Sequence, residues 1–159
     1  MKKNLLIILI FQLGVLVAQE NKSLIGEWRV VSVDNGEVYL NVKTDSVSTT
    51  AEFDKKHKTK VSHQDGIAEI RAFSSENEFI FTENGEFRVY MNSKRKTKYL
   101  DGNYKFIDDE KLSLNVKSRI GKEMKKELEF EFINELLLVQ FKFIAMRGNK
   151  PTEYLLERI

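Results

Sequence analysis

The sequence contains no cysteine. That absence removes disulfide staples, thiol nucleophiles and the lipid-bearing cysteine that a bacterial lipoprotein leader requires. One proline and eight glycines leave no low-complexity linker. Gly85, Gly102 and Gly121 stand alone, so no glycine-rich loop cradles a phosphate. Only two histidines are present, His57 and His63, in a lysine-rich stretch that repels a metal ion. Neither has a serine or an acid at a recognisable motif spacing, so a hydrolytic triad has no support. Asp108-Asp109 reads as a turn, and Glu129 with Glu131 as a solvent face. No catalytic residue, metal ligand or cofactor site is expected, and the chain is not expected to be an enzyme.

Long apolar runs are scarce, with one exception at the start. Met1, Lys2, Lys3 and Asn4 form a basic head. Leu5 to Ala18 is then apolar except for Gln12 and Gly14, before polarity returns at Gln19-Glu20-Asn21-Lys22. The run is shorter than the roughly 20 residues a spanning helix needs and has no stop-transfer cluster behind it. It reads as a signal peptide over residues 1–19, cleaved next to Ala18 or Gln19, followed by one domain over 20–159. The expected location is outside the cytoplasm, periplasmic or secreted, with no stable membrane anchor after cleavage.

A charge excess is also missing. Loss of residues 1–19 removes Lys2 and Lys3 and no acid, so 26 Lys+Arg less two leaves 24 against 24 Asp+Glu. A neutral surface gives no nucleic-acid footprint. The densest basic run, Lys94-Arg95-Lys96-Thr97-Lys98-Tyr99, reads as a solvated hairpin tip. About 140 residues suffice for one core without staples, and 11 Phe, 5 Tyr and one Trp supply its apolar area.

What the mature chain does have is period-two alternation. Trp28 to Val33 reads as a first strand, Asp34-Asn35-Gly36 as a tight turn and Glu37 to Val42 as the return. Glu78–Thr82 and Glu86–Tyr90 flank Asn84-Gly85, which suits a type I′ hairpin turn. Asn103–Ile107 and Lys111–Val116 meet across Asp108-Asp109. Lys126–Phe132 turns at Asn134-Glu135 into Leu136–Ala145, whose Leu136–Val139 core is expected to be covered on both faces. Met146–Pro151 reads as a loop and Thr152–Ile159 as a closing strand.

Between Lys43 and His63 the alternation fades into a polar crossover, mobile or loosely helical. Ile67, Ile70 and Phe73 then recur at helical spacing and predict one short helix over a barrel end. The fold class is all-β: an up-and-down antiparallel barrel of eight or nine short strands with one short helix. Closure removes the exposed edges that an open sheet would leave.

Leu24-Ile25-Gly26-Glu27-Trp28-Arg29-Val30 resembles the Gly-x-Trp start of lipocalin-like domains, in particular small exported bacterial ones of calycin type. The resemblance implies that Gly26 turns the chain into the first strand and that the Trp28 indole plugs the closed end. It further implies that Arg158 packs across the indole and ties the last strand to the first. If Trp28 points inward, alternation places Phe79, Phe81, Phe87, Val89, Tyr104, Phe106, Leu112, Leu114, Phe130, Phe132, Val139 and Phe141 inside. The expected function is reversible binding of a small apolar or amphipathic molecule in the barrel mouth. Phe81, Tyr104, Phe130, Phe141 and Tyr154 are the candidate ligand contacts, with Tyr104 or Tyr154 as a polar handle. The alternative is an exported interaction module or inhibitor with a filled barrel, acting on a protein partner through the 43–66 crossover.

Overall fold

The computed structural model describes residues 23–74, 76–91, 97–118, 120–141 and 151–159. The leader expected at 1–19 lies outside the described residues, as do 94–96 of the basic run and 146–150 of the expected loop. The elements follow the chain as β1 (Gly26–Asp34), β2 (Val38–Asn41), β3 (Ser46–Thr49), α1 (Ala51–Lys56), α2 (Lys60–Ser74) and β4 (Glu78–Phe81). They continue as β5 (Glu86–Met91), β6 (Thr97–Phe106), β7 (Lys111–Ser118), β8 (Glu123–Ile133), β9 (Leu136–Phe141) and β10 (Thr152–Arg158).

All pairings are antiparallel. Strands β4 to β10 follow one another as neighbours, and β1 closes the ring by pairing with β10 on one side and β4 on the other. Eight strands thus form a closed barrel. The β2–β3 hairpin extends it, because the last part of β1 pairs with β2 through Ser32↔Asn41, Val33↔Leu40 and Asp34↔Tyr39. One crossover, β3 to β4 through both helices, breaks the series of hairpins.

Closure is built by register. Trp28 faces Arg158, Arg29 faces Glu157, Val30 faces Leu156 and Val33 faces Tyr154, with a bulge at Val31 between the two stretches. The bulge changes the local twist of a strand that must serve three neighbours. Outside the wall, Arg29 and Lys43 both reach Glu157, at 3.7 and 2.5 Å. These exposed pairs contribute little, since solvent screens them. The stability comes from inside, where Phe79, Phe81, Phe87, Val89, Leu112, Leu114, Leu128, Leu137, Val139, Tyr154 and Leu156 are each at most 1 % exposed. Burying each large apolar side chain is worth about 1.5–3 kcal/mol.

Strand direction gives the barrel two distinct ends. The start of β1, the turns after β4, β6 and β8, and the end of β10 gather at one end, the base. The β1–β2 turn and the start of β4 lie at the other, the upper end.

Several expectations need correction. The crossover at 43–63 is helical in part, as one of the two alternatives had it, and holds β3, α1 and the start of α2; the short helix expected around Ile67–Phe73 is a 15-residue α2 starting at Lys60. The described residues therefore hold two helices where one was expected, while the barrel itself has eight strands, within the expected eight or nine. The 82–85 turn is not type I′: Gly85 alone has positive φ, +80°, while Thr82 O accepts from Gly85 N at 3.1 Å and Thr82 N donates to Glu86 O at 3.0 Å. That is a three-residue loop with its last residue left-handed. Leu136 and Leu138 are half-buried on the outer face while Leu137 and Val139 are buried, so this segment is covered on one face only. Phe106 shares the inner register but is 59 % exposed, because β6 carries it past the base rim before turning. Among the described residues no helix is long and apolar enough to cross a membrane.

Candidate functional site

The base is capped by the chain's first described residues. Gly26 takes φ +148°, and a Cβ there would lie 3.0 Å from Arg158 Nη1, so both backbone and space call for glycine. Trp28 turns inward, 1 % exposed, and its Nε1 donates to Leu24 O at 2.9 Å. The Arg158 guanidinium carbon sits 4.6 Å from the indole centre. Its two terminal nitrogens donate to the carbonyls of Ile25, at 3.0 Å, and Ser23. The guanidinium therefore bonds the chain start while lying on the indole face, a favourable electrostatic contact. Gly26, Trp28 and Arg158, far apart in sequence, form one cap.

An aromatic chain runs on from that cap. Trp28 to Phe132 is 6.1 Å between ring centres, Phe132 to Phe130 6.2 Å, Phe130 to Phe106 6.2 Å, Phe106 to Tyr104 5.8 Å and Tyr104 to Phe81 5.6 Å. Three of the five candidate ligand contacts, Phe81, Tyr104 and Phe130, therefore lie at the base beside the cap, not at a mouth. Strand direction is the reason: each stands near the base end of its strand. Tyr104 is not a free polar handle either, because its hydroxyl donates to Thr82 O at 2.9 Å. Burial pushes its phenol above the ordinary 10.0.

Tyr154 is elsewhere. It faces Val33 and Val139 across its two neighbours, is fully buried, and its ring lies 5.2 Å from that of Phe79. Phe141 pairs with Thr152 through its backbone, one step further up, and its side chain lies outside the described residues. The predicted set thus divides into a basal group and an upper pair.

The upper interior is mostly apolar, and one of its buried polar residues, Asn77, was passed over by the sequence reading. Asn77 precedes β4, and its carbonyl accepts from Val30 N at 3.3 Å. Trp28↔Phe79 and Arg29↔Glu78 fix the register, so Asn77 stands opposite Val30 with its side chain on the inner face. It is 1 % exposed. The signal was present: Asn77, Phe79 and Phe81 alternate, which puts a carboxamide on an otherwise apolar stripe.

The crossover packs a small core of its own. Phe53 is buried, stacks on His57 at 4.3 Å and meets His63 edge-on at 5.3 Å. His57 caps α1 and its Nδ1 lies 2.9 Å from Ser62 O, so that nitrogen carries the proton. Both histidines are half-buried packing groups. Thr50 caps the helix by accepting from Phe53 N at 3.3 Å. Asp54 Oδ1 accepts from Thr49 Oγ1 at 2.8 Å and from His63 Nε2 at 3.0 Å. These two bonds, with the His63 charge, hold the Asp54 carboxyl below 3.8 despite the opposing effect of burial.

A folded value below the unfolded one means that the contact is fully present above about pH 4 and is lost as pH falls through the lowered value. Carbon-detected NMR titration is expected to place the Asp54 midpoint below 3.8, and Thr49→Ala to move it upward. An unchanged midpoint in that variant would remove Thr49 as the leading cause.

On the outer wall near the base, a groove of about 500 Å³ is lined by Asp108, Glu110, Lys111, Glu129, Glu131, Leu138 and Gln140 beside Phe130. Lys111 Nζ bonds Glu129 Oε1 at 2.9 Å, which raises the lysine pKa. Asp108 Oδ1 accepts from Glu110 N at 2.9 Å, a turn role. Among the described residues no group of three His, Asp or Glu is placed to hold a metal ion.

The class that these features define is an antiparallel β-barrel capped at one end with an apolar interior. No model of a known protein family and no curated protein matches the chain.

Proposed function

We propose that the chain is an exported, lipocalin-like protein that reversibly binds a small apolar or amphipathic molecule in the upper half of its barrel. One observation carries this reading: the base is occupied by Trp28 under Arg158, which directs access to the apolar interior toward the other end. Phe79 and Tyr154 then form the wall a ligand meets, and the basal aromatics support the cap. The leader at 1–19, with its basic head and apolar run, supports export.

Titration of residues 20–159 with an apolar fluorophore and with medium-chain fatty acids is expected to give saturable binding at micromolar concentrations. No binding anywhere below millimolar overturns the carrier reading. Native mass spectrometry of protein taken from its own cells is expected to show a chain starting next to Ala18 or Gln19. A mass that retains Met1–Ala18 overturns export.

A further inference from the structure

Asn77 holds chemistry that the fold leaves unused. Its side chain is buried, yet neither Nδ2 nor Oδ1 has a hydrogen-bond partner. A carboxamide stripped of water and left unpaired destabilises a fold, and buried polar groups in native proteins are normally satisfied. Folding alone favours an aliphatic residue at this inner-face position opposite Val30, beside Phe79 of the core. The position is held rigidly, since Val30 N bonds its carbonyl on one side and β4 begins on the other.

The chemistry of the group defines what completes it. An asparagine side chain offers two N–H donors next to a carbonyl acceptor. A ligand with a donor beside an acceptor fills both at once, as a primary carboxamide or a lactam does. A carboxylate offers acceptors alone and sets negative charge against Oδ1. The interior also supplies no neutralising cation: Ser32, Asn77 and Thr152 are the buried polar or charged residues among those described. An alcohol satisfies one of the two atoms.

Resting on the carrier reading above, we propose that Asn77 is the recognition residue for a neutral, amide-headed apolar ligand whose tail lies along Phe79 and Tyr154. A site built to hydrogen-bond a head group rejects analogues that lack it, because its own buried groups are then left unpaired.

The test uses residues 20–159 with decanamide, decanol and decanoate as matched probes. Wild type is expected to bind decanamide about tenfold more tightly than decanol, and decanoate more weakly than either. Asn77→Leu is expected to bind decanamide and decanol equally and to melt no lower than wild type. Equal binding of decanamide and decanol by wild type overturns the role of Asn77 while leaving the carrier reading intact. No binding of any probe overturns the carrier reading itself. A preference for decanamide that survives in Asn77→Leu also overturns the proposal. Should that variant fail to fold, the side-chain amide signals of Asn77 in wild type decide. They are expected to shift more on saturation with decanamide than with decanol, and signals unchanged by decanamide overturn the proposal.

Discussion

Replacing Trp28 by alanine is expected to cost about 3–5 kcal/mol of stability, the range for removing a large aromatic from a packed core. Ordinary domains have about 5–15 kcal/mol in total, so the variant sits near the folding threshold. Size is one reason: Trp28 is the largest fully buried side chain. Position is the other, since the indole links Leu24 O, the Phe132 ring and the Arg158 guanidinium at the seam between first and last strands. Arg158→Ala is expected to cost less, since the guanidinium is exposed and such a cation–ring contact is worth about 0.5–1 kcal/mol there. On the Trp28→Ala background the arginine loses the ring contact, so its removal is expected to cost still less. Urea denaturation followed by circular dichroism measures all three. A Trp28→Ala variant within about 1 kcal/mol of wild type would show that the indole does not cap the barrel.

Gly102→Ala is expected to have the next largest effect. A Cβ at this position of β6 would lie 2.2 Å from Asn115 O and 2.7 Å from Val116 Cα, both main-chain atoms of β7. No side-chain rotation relieves such an overlap. Two strands of a closed barrel must separate, and closure passes the displacement to their neighbours. Overpacking typically costs 1–3 kcal/mol and occasionally more, and the backbone contact places this case at about 3 kcal/mol. Gly121→Ala is the control. Gly121 has φ +78° with nothing within 4 Å of an added Cβ, so it bears only the left-handed cost of about 1–2 kcal/mol. If Gly102→Ala unfolds no more easily than Gly121→Ala, β6 and β7 do not approach as described.

The contrast between these glycines shows what a sequence conceals. Alternation made the inner face legible from Phe79 to Val139, because a strand must send successive side chains to opposite sides. It says nothing of height along the barrel. Phe106 and Tyr104 share a face, yet one is 59 % and the other 6 % exposed, since the strand passes the rim between them. Height also decided the candidate ligand contacts, because strand tilt and stagger leave Phe81, Tyr104 and Phe130 at the base end of the barrel. Tilt and stagger are properties of the closed sheet, not of any segment.

Loss of alternation between Lys43 and His63 was a real signal, but of helix and a short strand. Thr50 before Glu52 and Asp54 in the first turn, with Lys55 and Lys56 in the last, is the local pattern of a capped short helix. Phe53 is its one buried anchor, too little apolar periodicity to read. Asn77 stayed hidden for another reason. A lone asparagine before a strand looks like a turn residue, and its alternation with Phe79 and Phe81 gains meaning once pairing with β1 extends that face to it. Gly26, Trp28 and Arg158 were legible through the Gly-x-Trp resemblance, and their spacing within the cap was not.

Closure between β1 and β10 is what the account rests on, and the absence of cysteine makes it directly measurable. Arg29 and Glu157 are paired on the outer face. Directly opposed residues on antiparallel strands have Cα atoms about 4.5–5.5 Å apart, within the span of a disulfide. With Arg29→Cys and Glu157→Cys combined, mild oxidation of the folded monomer is expected to give one intramolecular disulfide in nearly every molecule. A folded variant whose two thiols stay reduced, or link only between molecules, would contradict the closed barrel.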